Sequence, residues 1–223
     1  MRARAMIADR VSAGRLLAGK LGHLRGHDPL ILALPRGGVP VAYEIARALD
    51  AELDLMMVRK LGAPGNPEYA IGAVVDGDDP QIVLNEHAID IIAPGTDYLQ
   101  REMGRQLVEL ERRRSAYMGK RRKPRIAGRT VVIVDDGIAT GSTITAAIRG
   151  ARKAGAERII LAVPVAPPDA VRALADLCDE IVVLETPAAF GSVGQHYGDF
   201  SETSDAEVVR LMESARASRP RSP

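Results

Sequence analysis

Two adjacent carboxylates followed by a short hydroxyl-rich loop are the residues of this chain best suited to chemistry. Asp135 and Asp136 follow the apolar run 131–134, and the loop 137–143 after them contains two Thr and one Ser. Carboxylates accept hydrogen bonds from vicinal hydroxyls, and a loop with little side-chain bulk lets backbone amides converge on an anion. The order of the two features predicts a site that holds a ribose 5-phosphate at its diol and at its phosphate.

The strand and the helix predicted on either side of these residues would position them at a ligand site. The run 131–134, Val-Val-Ile-Val, suits a strand buried on both faces of a parallel sheet, and open α/β sheets bind ligands at the carboxyl ends of their strands. A helix predicted over 142–154 would add its positive amino-terminal end. One carboxylate would be enough to serve a turn, and two neighbouring ones repel each other. The pair therefore favours a ligand site over a plain strand-to-helix turn.

The apolar strand, the acid pair and the Thr-Gly-Ser-Thr turn at 140–143 together resemble the ribose-phosphate motif of the type I phosphoribosyltransferases. Members of that family bind 5-phosphoribosyl-1-pyrophosphate (PRPP), and most transfer its ribosyl phosphate to a nitrogen nucleophile. The resemblance spans most of residues 8–214 and is closest to the family's uncharacterised bacterial members. It implies that Asp135 and Asp136 contact the ribose hydroxyls. It also implies a 5-phosphate cradle formed by Ala139, Thr140, Gly141, Ser142 and Thr143.

A second candidate loop follows the first predicted strand of the sheet, 30–34. Its sequence is Pro35-Arg36-Gly37-Gly38, in which two glycines let amides approach an anion while the guanidinium pairs with it. The loop resembles the pyrophosphate loop of the purine-salvage members, which often contains a cis peptide; the equivalent bond here is Pro35-Arg36. Taken alone, Arg-Gly-Gly is also an ordinary strand-to-helix turn.

Arg59 and Lys60 are predicted to close the second strand, 54–58, at the ligand end of the sheet. They resemble the basic pair that approaches the pyrophosphate in the adenine and orotate enzymes of the family. The alternative is a solvated strand end, which is common for Arg and Lys. The segment 63–70 follows with two Pro and one Gly, and suits either a loop that closes over the site or a rigid hairpin connection.

Aromatic residues are few, with five Tyr, two Phe and no Trp, yet Phe190, Tyr197 and Phe200 fall close together. Such a cluster either stacks on a planar acceptor in a small carboxyl-terminal hood or packs a satellite core. We expect packing for two of the rings and take Tyr197 as the candidate acceptor contact. The basic stretch 112–125 follows directly after Glu109 and Glu111 and has no interleaved aromatic residue beyond Tyr117, which favours a solvated face over a nucleic-acid surface.

Alternation of strands and helices predicts an α/β fold with a doubly wound, mainly parallel β-sheet flanked by helices, a small hood and a β-hairpin flap. We expect one domain over 1–214 and a disordered tail over 215–223. The flap pairs 70–75 with 81–84. Helices are predicted at 8–21, 39–49, 85–92, 96–117, 142–154, 168–177 and 205–214, and strands at 30–34, 54–58, 131–134, 158–163 and 180–184.

Composition sets broad limits on function. A formal net charge of +1 points neither to nucleic acid nor to a membrane surface, so any anion site must be local. The single Cys178 excludes an internal disulfide and fits a reduced, cytoplasmic setting. No apolar run reaches the ~18 residues of a membrane span.

By resemblance, PRPP would bind with Mg²⁺ held mostly by ligand oxygens and water, with Asp135 and Asp136 nearby and Arg36 and Lys60 assisting catalysis. Family enzymes for 6-oxopurines carry an acid where this chain has Ala139, which disfavours a hypoxanthine or guanine acceptor. Ala139 resembles the adenine enzymes, yet Gly137 replaces the bulky apolar residue that usually follows their acid pair, so the resemblance does not assign adenine as the acceptor. A non-catalytic PRPP or nucleotide sensor and a PRPP or nucleotide hydrolase stay open, as does a homodimer, which is common in the family.

Overall fold

Two β-sheets organise the part of the chain that the computed structural model describes, residues 6–218. The strands are β1 (Leu30–Ala33), β2 (Glu52–Leu55), β3 (Val58–Ala63), β4 (Asn66–Val75), β5 (Gln81–Leu84), β6 (Thr130–Val134), β7 (Arg158–Val165) and β8 (Glu180–Glu185). The helices are α1 (Arg10–Lys20), α2 (Gly38–Leu49), α3 (Glu86–Ile92), α4 (Thr96–Met118), α5 (Ser142–Lys153), α6 (Pro168–Leu174) and α7 (Asp205–Ala217).

The larger sheet is entirely parallel, in the order β2-β1-β6-β7-β8. The chain builds outward from β1 to β2 on one side and from β6 to β8 on the other, so the direction of winding switches between β1 and β6. In open α/β sheets this switch point opens a crevice at the carboxyl ends of the strands. The predicted doubly wound, mainly parallel sheet is confirmed.

Both faces of the parallel sheet are buried, as the unbroken apolar runs predicted. Val132 and Val134 of β6 belong to the apolar cluster that includes α1, α2 and α7, whereas Val131 and Ile133 belong to the cluster that includes α5. Within residues 6–218, no helix combines the length and apolarity needed to cross a membrane.

The smaller sheet is antiparallel, in the order β3-β4-β5, and it has one strand more than the predicted hairpin flap. The 70–75 and 81–84 strands do pair as a hairpin, but a third strand, β3, joins them. The predicted strand 54–58 is wrong because its apolar run is shared by two sheets. Met56 and Met57 are the buried crossing: Met56 N donates to Ala33 O at 2.9 Å, and Asp76 N donates to Met57 O at 2.8 Å.

The remaining boundaries differ from prediction mainly at helix ends. The helix predicted over 168–177 ends at Leu174, and a turn follows it. The last helix continues to Ala217, so residues 215–217 of the predicted tail are helical. Residues 219–223 of that tail lie outside the described residues.

A buried ionic cluster joins the two sheets to α4. Arg114 of α4 donates from Nη2 to both carboxylate oxygens of Asp54, at 2.7 and 2.8 Å, and from Nη1 to Asp76 at 2.8 Å. Lys123 lies 2.9 Å from the other oxygen of Asp76. Burial raises the pKa of Asp54, partly offset by the charge of Arg114. The solvated face predicted for 112–125 is therefore wrong at Arg114, whose side chain is 3% exposed.

We expect Arg114→Met to lower the free energy of unfolding by about 3–5 kcal/mol, because removing the guanidinium leaves two buried carboxylates without their main partner. Urea denaturation measures the change. Arg112→Met is the matched control, since Arg112 is two residues away on the same helix, is exposed, and pairs with Glu109 on that helix. An unfolding midpoint as close to wild type for Arg114→Met as for Arg112→Met would contradict this role.

Candidate functional site

The two candidate loops lie side by side at the switch point. β1 and β6 are parallel neighbours, with Ala33 opposite Val134, and Leu34 N donates to Val134 O at 2.9 Å. The Arg-Gly-Gly loop that leaves β1 and the acid pair that leaves β6 therefore emerge at the same edge of the sheet. The peptide Pro35-Arg36 is cis, as the resemblance implied.

Contact between the two loops requires glycine. A Cβ on Gly37 would overlap the Asp136 carboxylate, with its carbon Cγ only 2.6 Å away. A Cβ on Gly38 would lie 2.6 Å from Val134 O and 2.9 Å from Asp135 Cα. Gly37 has ordinary right-handed helical dihedrals, which any residue can adopt. Glycine is therefore needed at this position because a side chain would collide with the acid pair. These two glycines let the backbone of one loop touch the carboxylates of the other.

The two carboxylates occupy different electrostatic environments. Burial, reinforced by the charge of Asp136, raises the pKa of Asp135 well above its ordinary value. Asp135 Oδ1 accepts a hydrogen bond from Asp136 N at 2.9 Å. Asp136 instead has a cationic partner, Arg10.

Arg10 is a site residue that the sequence reasoning missed. Its Nε and Nη2 donate to Asp136 Oδ2 at 2.9 and 2.7 Å, and its Nη1 donates to Ser201 O at 2.6 Å. The guanidinium also lies over the Phe200 ring, 4.0 Å from its centroid. One signal was available: Arg10 is the first residue of α1, where the helix dipole disfavours a cation, so a basic residue there indicates a partner elsewhere.

The hydroxyl-rich loop leads into α5 as predicted. Gly141 has a φ of 76°, in the left-handed region that glycine tolerates, and the helix begins at Ser142. The first turn of a helix leaves its amides without intrahelical acceptors, and the first such bond here joins Thr145 N to Gly141 O at 2.8 Å. Thr140, Ser142 and Ala139 are at least partly exposed, so the loop is open to a ligand.

Gly137, the departure from the adenine enzymes, has a structural explanation. A Cβ at this position would lie 2.5 Å from a methyl carbon of Val193 and 3.0 Å from one of Val165. Val193 belongs to a carboxyl-terminal segment, residues 186–204, that covers the acid pair and is called the hood below. The hood therefore fills the space that a larger side chain would need.

Arg59 and Lys60 do not close β2; they lie in β3, in the antiparallel sheet. They line a cavity of about 690 Å³ together with Thr140, Ser142 and Thr143 of the hydroxyl-rich loop. Arg59 also borders a cavity of about 70 Å³ with Pro35 and Thr143. The basic pair thus reaches the ligand end of the parallel sheet from the neighbouring sheet.

The segment 63–70, which suited either a closing loop or a rigid connection, forms the tip of the β3-β4 hairpin. Ala63 pairs with Asn66, and residues 64–69 are exposed. Glu68 on this tip lines the large cavity.

Arg36 is held by the opposite end of the chain. Its guanidinium forms an ion pair with Glu202, and Nη1 lies 3.4 Å from Asp205 Oδ1. Tyr117 donates its hydroxyl hydrogen to the same Asp205 oxygen at 2.7 Å. An anion bound by Arg36 must therefore compete with these two carboxylates.

Tyr197 is placed in the hood's interior, which corrects its expected role as an acceptor contact. The residue is 4% exposed, its hydroxyl donates to Asp136 O at 2.6 Å, and its ring packs on Phe200 at a centroid distance of 5.0 Å. Phe190 stacks on His196 at 5.5 Å. The aromatic cluster therefore contacts the acid pair through the Tyr197 hydroxyl, and burial raises the pKa of Tyr197.

The donor set fits a metal ion that arrives with its ligand. Within residues 6–218, no group of three or more His, Cys, Asp or Glu side chains is placed to hold a metal. Asp135 and Asp136 supply two carboxylates, one of which is already bound by Arg10. Mg²⁺ keeps several waters and binds readily through one or two carboxylates plus substrate phosphates, which this pair can satisfy.

A half-buried acid pair beside a hydroxyl-rich loop, at the switch point of a doubly wound sheet, is the arrangement expected of an α/β protein that binds a ligand there. The chain matches the phosphoribosyl transferase domain family over residues 8–194, and it belongs to that family.

Two sequence relatives and one solved structure are similar over nearly the whole chain. Proteins of two Mycobacterium tuberculosis strains, named "Putative phosphoribosyl transferase Rv0571c" and "Putative phosphoribosyl transferase MT0597", are each 47% identical over 210 residues, 93% of this chain. The match covers 46% of each relative, so the chain spans about half their length. The crystal structure of TT1426 from Thermus thermophilus has 44% identity and a TM-score of 0.81, covering 94% of this chain and 99% of that one.

Gly37→Ala should displace the Asp136 carboxylate and lower the melting temperature, because the added methyl group overlaps it. Gly19→Ala is the matched control: nothing lies within 4 Å of its added Cβ, and an exposed helical Gly→Ala change stabilises by about 0.5–1 kcal/mol. Differential scanning calorimetry measures both. If Gly37→Ala also raised the melting temperature, the contact between the loops would not exist as described.

Asp135→Asn should stabilise the fold near neutral pH. The pKa of Asp135 is raised in the folded state, so ionising this carboxyl disfavours folding. The resulting loss of stability is absent below ~3.9, the pKa of Asp in the unfolded chain, and is complete once the pH exceeds the folded-state pKa. The melting temperature of Asp135→Asn should therefore exceed that of wild type at neutral pH and approach it toward pH ~4.

Asp136→Asn is the control for this pair, and it should melt below wild type at neutral pH because Arg10 loses its carboxylate. An Asp135→Asn variant less stable than wild type at neutral pH would show that Asp135 is stabilised in its charged form.

Proposed function

We propose that this protein transfers ribose 5-phosphate from PRPP to a nitrogenous base-type acceptor and releases pyrophosphate. The observation that carries the proposal is the direct contact between the Arg-Gly-Gly loop and the acid pair beside an anion-accepting helix start. Membership of the phosphoribosyl transferase domain family supports it. The chain spans about half the length of its Mycobacterium tuberculosis relatives. The proposed transferase activity is therefore assigned to the region that this chain covers.

Asp135 and Asp136 would accept hydrogen bonds from the two ribose hydroxyls, and 139–143 would bind the 5-phosphate through amides and hydroxyls. Arg36, Gly37 and Gly38 would bind the pyrophosphate, with Arg59 and Lys60 approaching from β3. Mg²⁺, bound mainly by pyrophosphate oxygens and water, would stabilise the charge of the departing group. The residues of the chain would position the sugar and stabilise charge rather than form a covalent bond with it.

Ligand binding would have to rearrange two ion pairs. Asp136 would accept hydrogen bonds from the ribose hydroxyls in addition to, or in place of, those from Arg10. Arg36 would break its ion pair with Glu202 and bind the pyrophosphate. The same observation favours a second candidate function, a PRPP or nucleotide sensor, in which exchange of these ion pairs moves α1 and the hood without any chemical step.

The test is pyrophosphate release from PRPP and Mg²⁺ with a panel of purine, pyrimidine and pyridine acceptors. We expect release that depends on one acceptor class, and a loss of about a hundredfold or more in kcat/KM for Asp135→Asn/Asp136→Asn, since misplacing the sugar removes orientation. Asp90→Asn, an exposed carboxylate on α3, should match wild type.

PRPP binding without release for any acceptor would support the sensor instead of the transferase. Release that needs no acceptor would identify a hydrolase, and PRPP binding unaffected by the double variant would contradict the proposed site.

A further inference from the structure

The 690 Å³ cavity extends beyond the proposed 5-phosphate position. Thr140, Ser142 and Thr143 form one wall, and the cavity continues along α5 past Thr145 to Arg149. The acid pair and Arg36 do not line it. Small-molecule sites have volumes of about 300–1,000 Å³, so a single phosphate group would fill only a part of this space.

Cationic side chains outnumber carboxylates in the cavity. Its ionisable lining consists of Arg59, Lys60, Arg105 and Arg149 against Glu68 and Glu102. Arg105 and Glu102 neutralise each other through a contact of 2.7 Å. Arg59, Lys60 and Arg149 then remain against the single carboxylate of Glu68, so the surplus charge is positive.

These three cations have no carboxylate partner in the described part of the chain. Lys60 and Arg149 make neither an ion pair nor a side-chain hydrogen bond among residues 6–218, and Arg59 donates only to the neutral amide of Gln106, at 3.0 Å. Arginine forks match phosphate oxygens in geometry and charge. The uncompensated cations favour an anionic ligand group in this cavity.

The position of Arg149 says where that group lies. Arg149 follows Ser142 by seven residues, so the two are about 10 Å apart along the axis of α5. Helical side chains lean toward the amino terminus of their helix, which here means toward the loop 139–143. Arg149 therefore extends toward a group joined to the far side of a phosphate held by that loop.

We propose that this cavity binds a second phosphate attached to the 5-phosphate, so that the site takes nucleoside 5′-diphosphates. The proposal rests on the proposed function for the placement of the 5-phosphate. A nucleoside 5′-monophosphate is the product of the proposed transfer, and the diphosphate adds one anionic group that reaches Arg149. Such a ligand competes with PRPP for the ribose site.

The experiment is calorimetric titration of paired nucleotides that share a base: the 5′-monophosphates and 5′-diphosphates of adenosine, guanosine, cytidine and uridine. For the base that binds, we expect wild type to favour the diphosphate by about tenfold, the scale of one charge-assisted hydrogen bond. Arg149→Gln should remove this preference and leave the monophosphate affinity unchanged. Arg152→Gln is the matched control, because Arg152 lies one turn further on α5, outside the cavity, and pairs with Asp179.

Several outcomes would overturn the proposal: no diphosphate preference in wild type, no nucleotide bound for any base, or equal weakening of both nucleotides by Arg149→Gln. Weaker binding of inorganic pyrophosphate by Arg149→Gln, with the diphosphate preference intact, would assign the cavity to the pyrophosphate of PRPP. A diphosphate preference that needs Arg149 but survives Asp135→Asn/Asp136→Asn with undiminished affinity would support the cavity site and contradict the proposed ribose site.

Discussion

The candidate site depends on one steric constraint, the contact of the Arg-Gly-Gly loop with the acid pair across the switch point of the sheet. Parallel pairing of β1 and β6 brings the two loops together, and only glycine at 37 and 38 lets them touch. Two helices start beside this contact: α2 begins at Gly38 itself, and α5 begins at Ser142, six residues after Asp136.

Placing two carboxylates together at the carboxyl end of a buried strand is electrostatically unfavourable, and Arg10 at the start of α1 offsets part of this cost by binding Asp136. Near the other end of the chain, Glu202 and Asp205 pair with Arg36 of the neighbouring loop. The hood covers the pair with Tyr197 and Val193. The amino-terminal helix and the hood are therefore coupled to the charge state of the site, and a ligand that replaces one of these ion pairs changes contacts on both segments.

The sequence predicted the features that local patterns encode and missed those that depend on distant partners. The β-branched run 131–134, the acid pair and the glycine-rich loops have fixed local spacing, so they predict the strand and the helix starts. The cis peptide at Pro35-Arg36 was implied by the family resemblance and not by local spacing. The predicted strand 54–58 was wrong because a buried strand and a buried crossing between two sheets, such as Met56 and Met57, have the same apolar pattern. Arg10 and Arg114 are far in sequence from Asp136 and Asp54, and no local pattern records such pairs.

The proposed site is tested most directly by a crystal structure with ribose 5-phosphate bound. We expect the two ribose hydroxyls to donate to Asp135 and Asp136, the phosphate to accept hydrogen bonds from the amides of 139–143, and the contact of Gly37 with the acid pair to be retained. A phosphate bound beside Arg149 with the ribose hydroxyls remote from both carboxylates would contradict the proposed site.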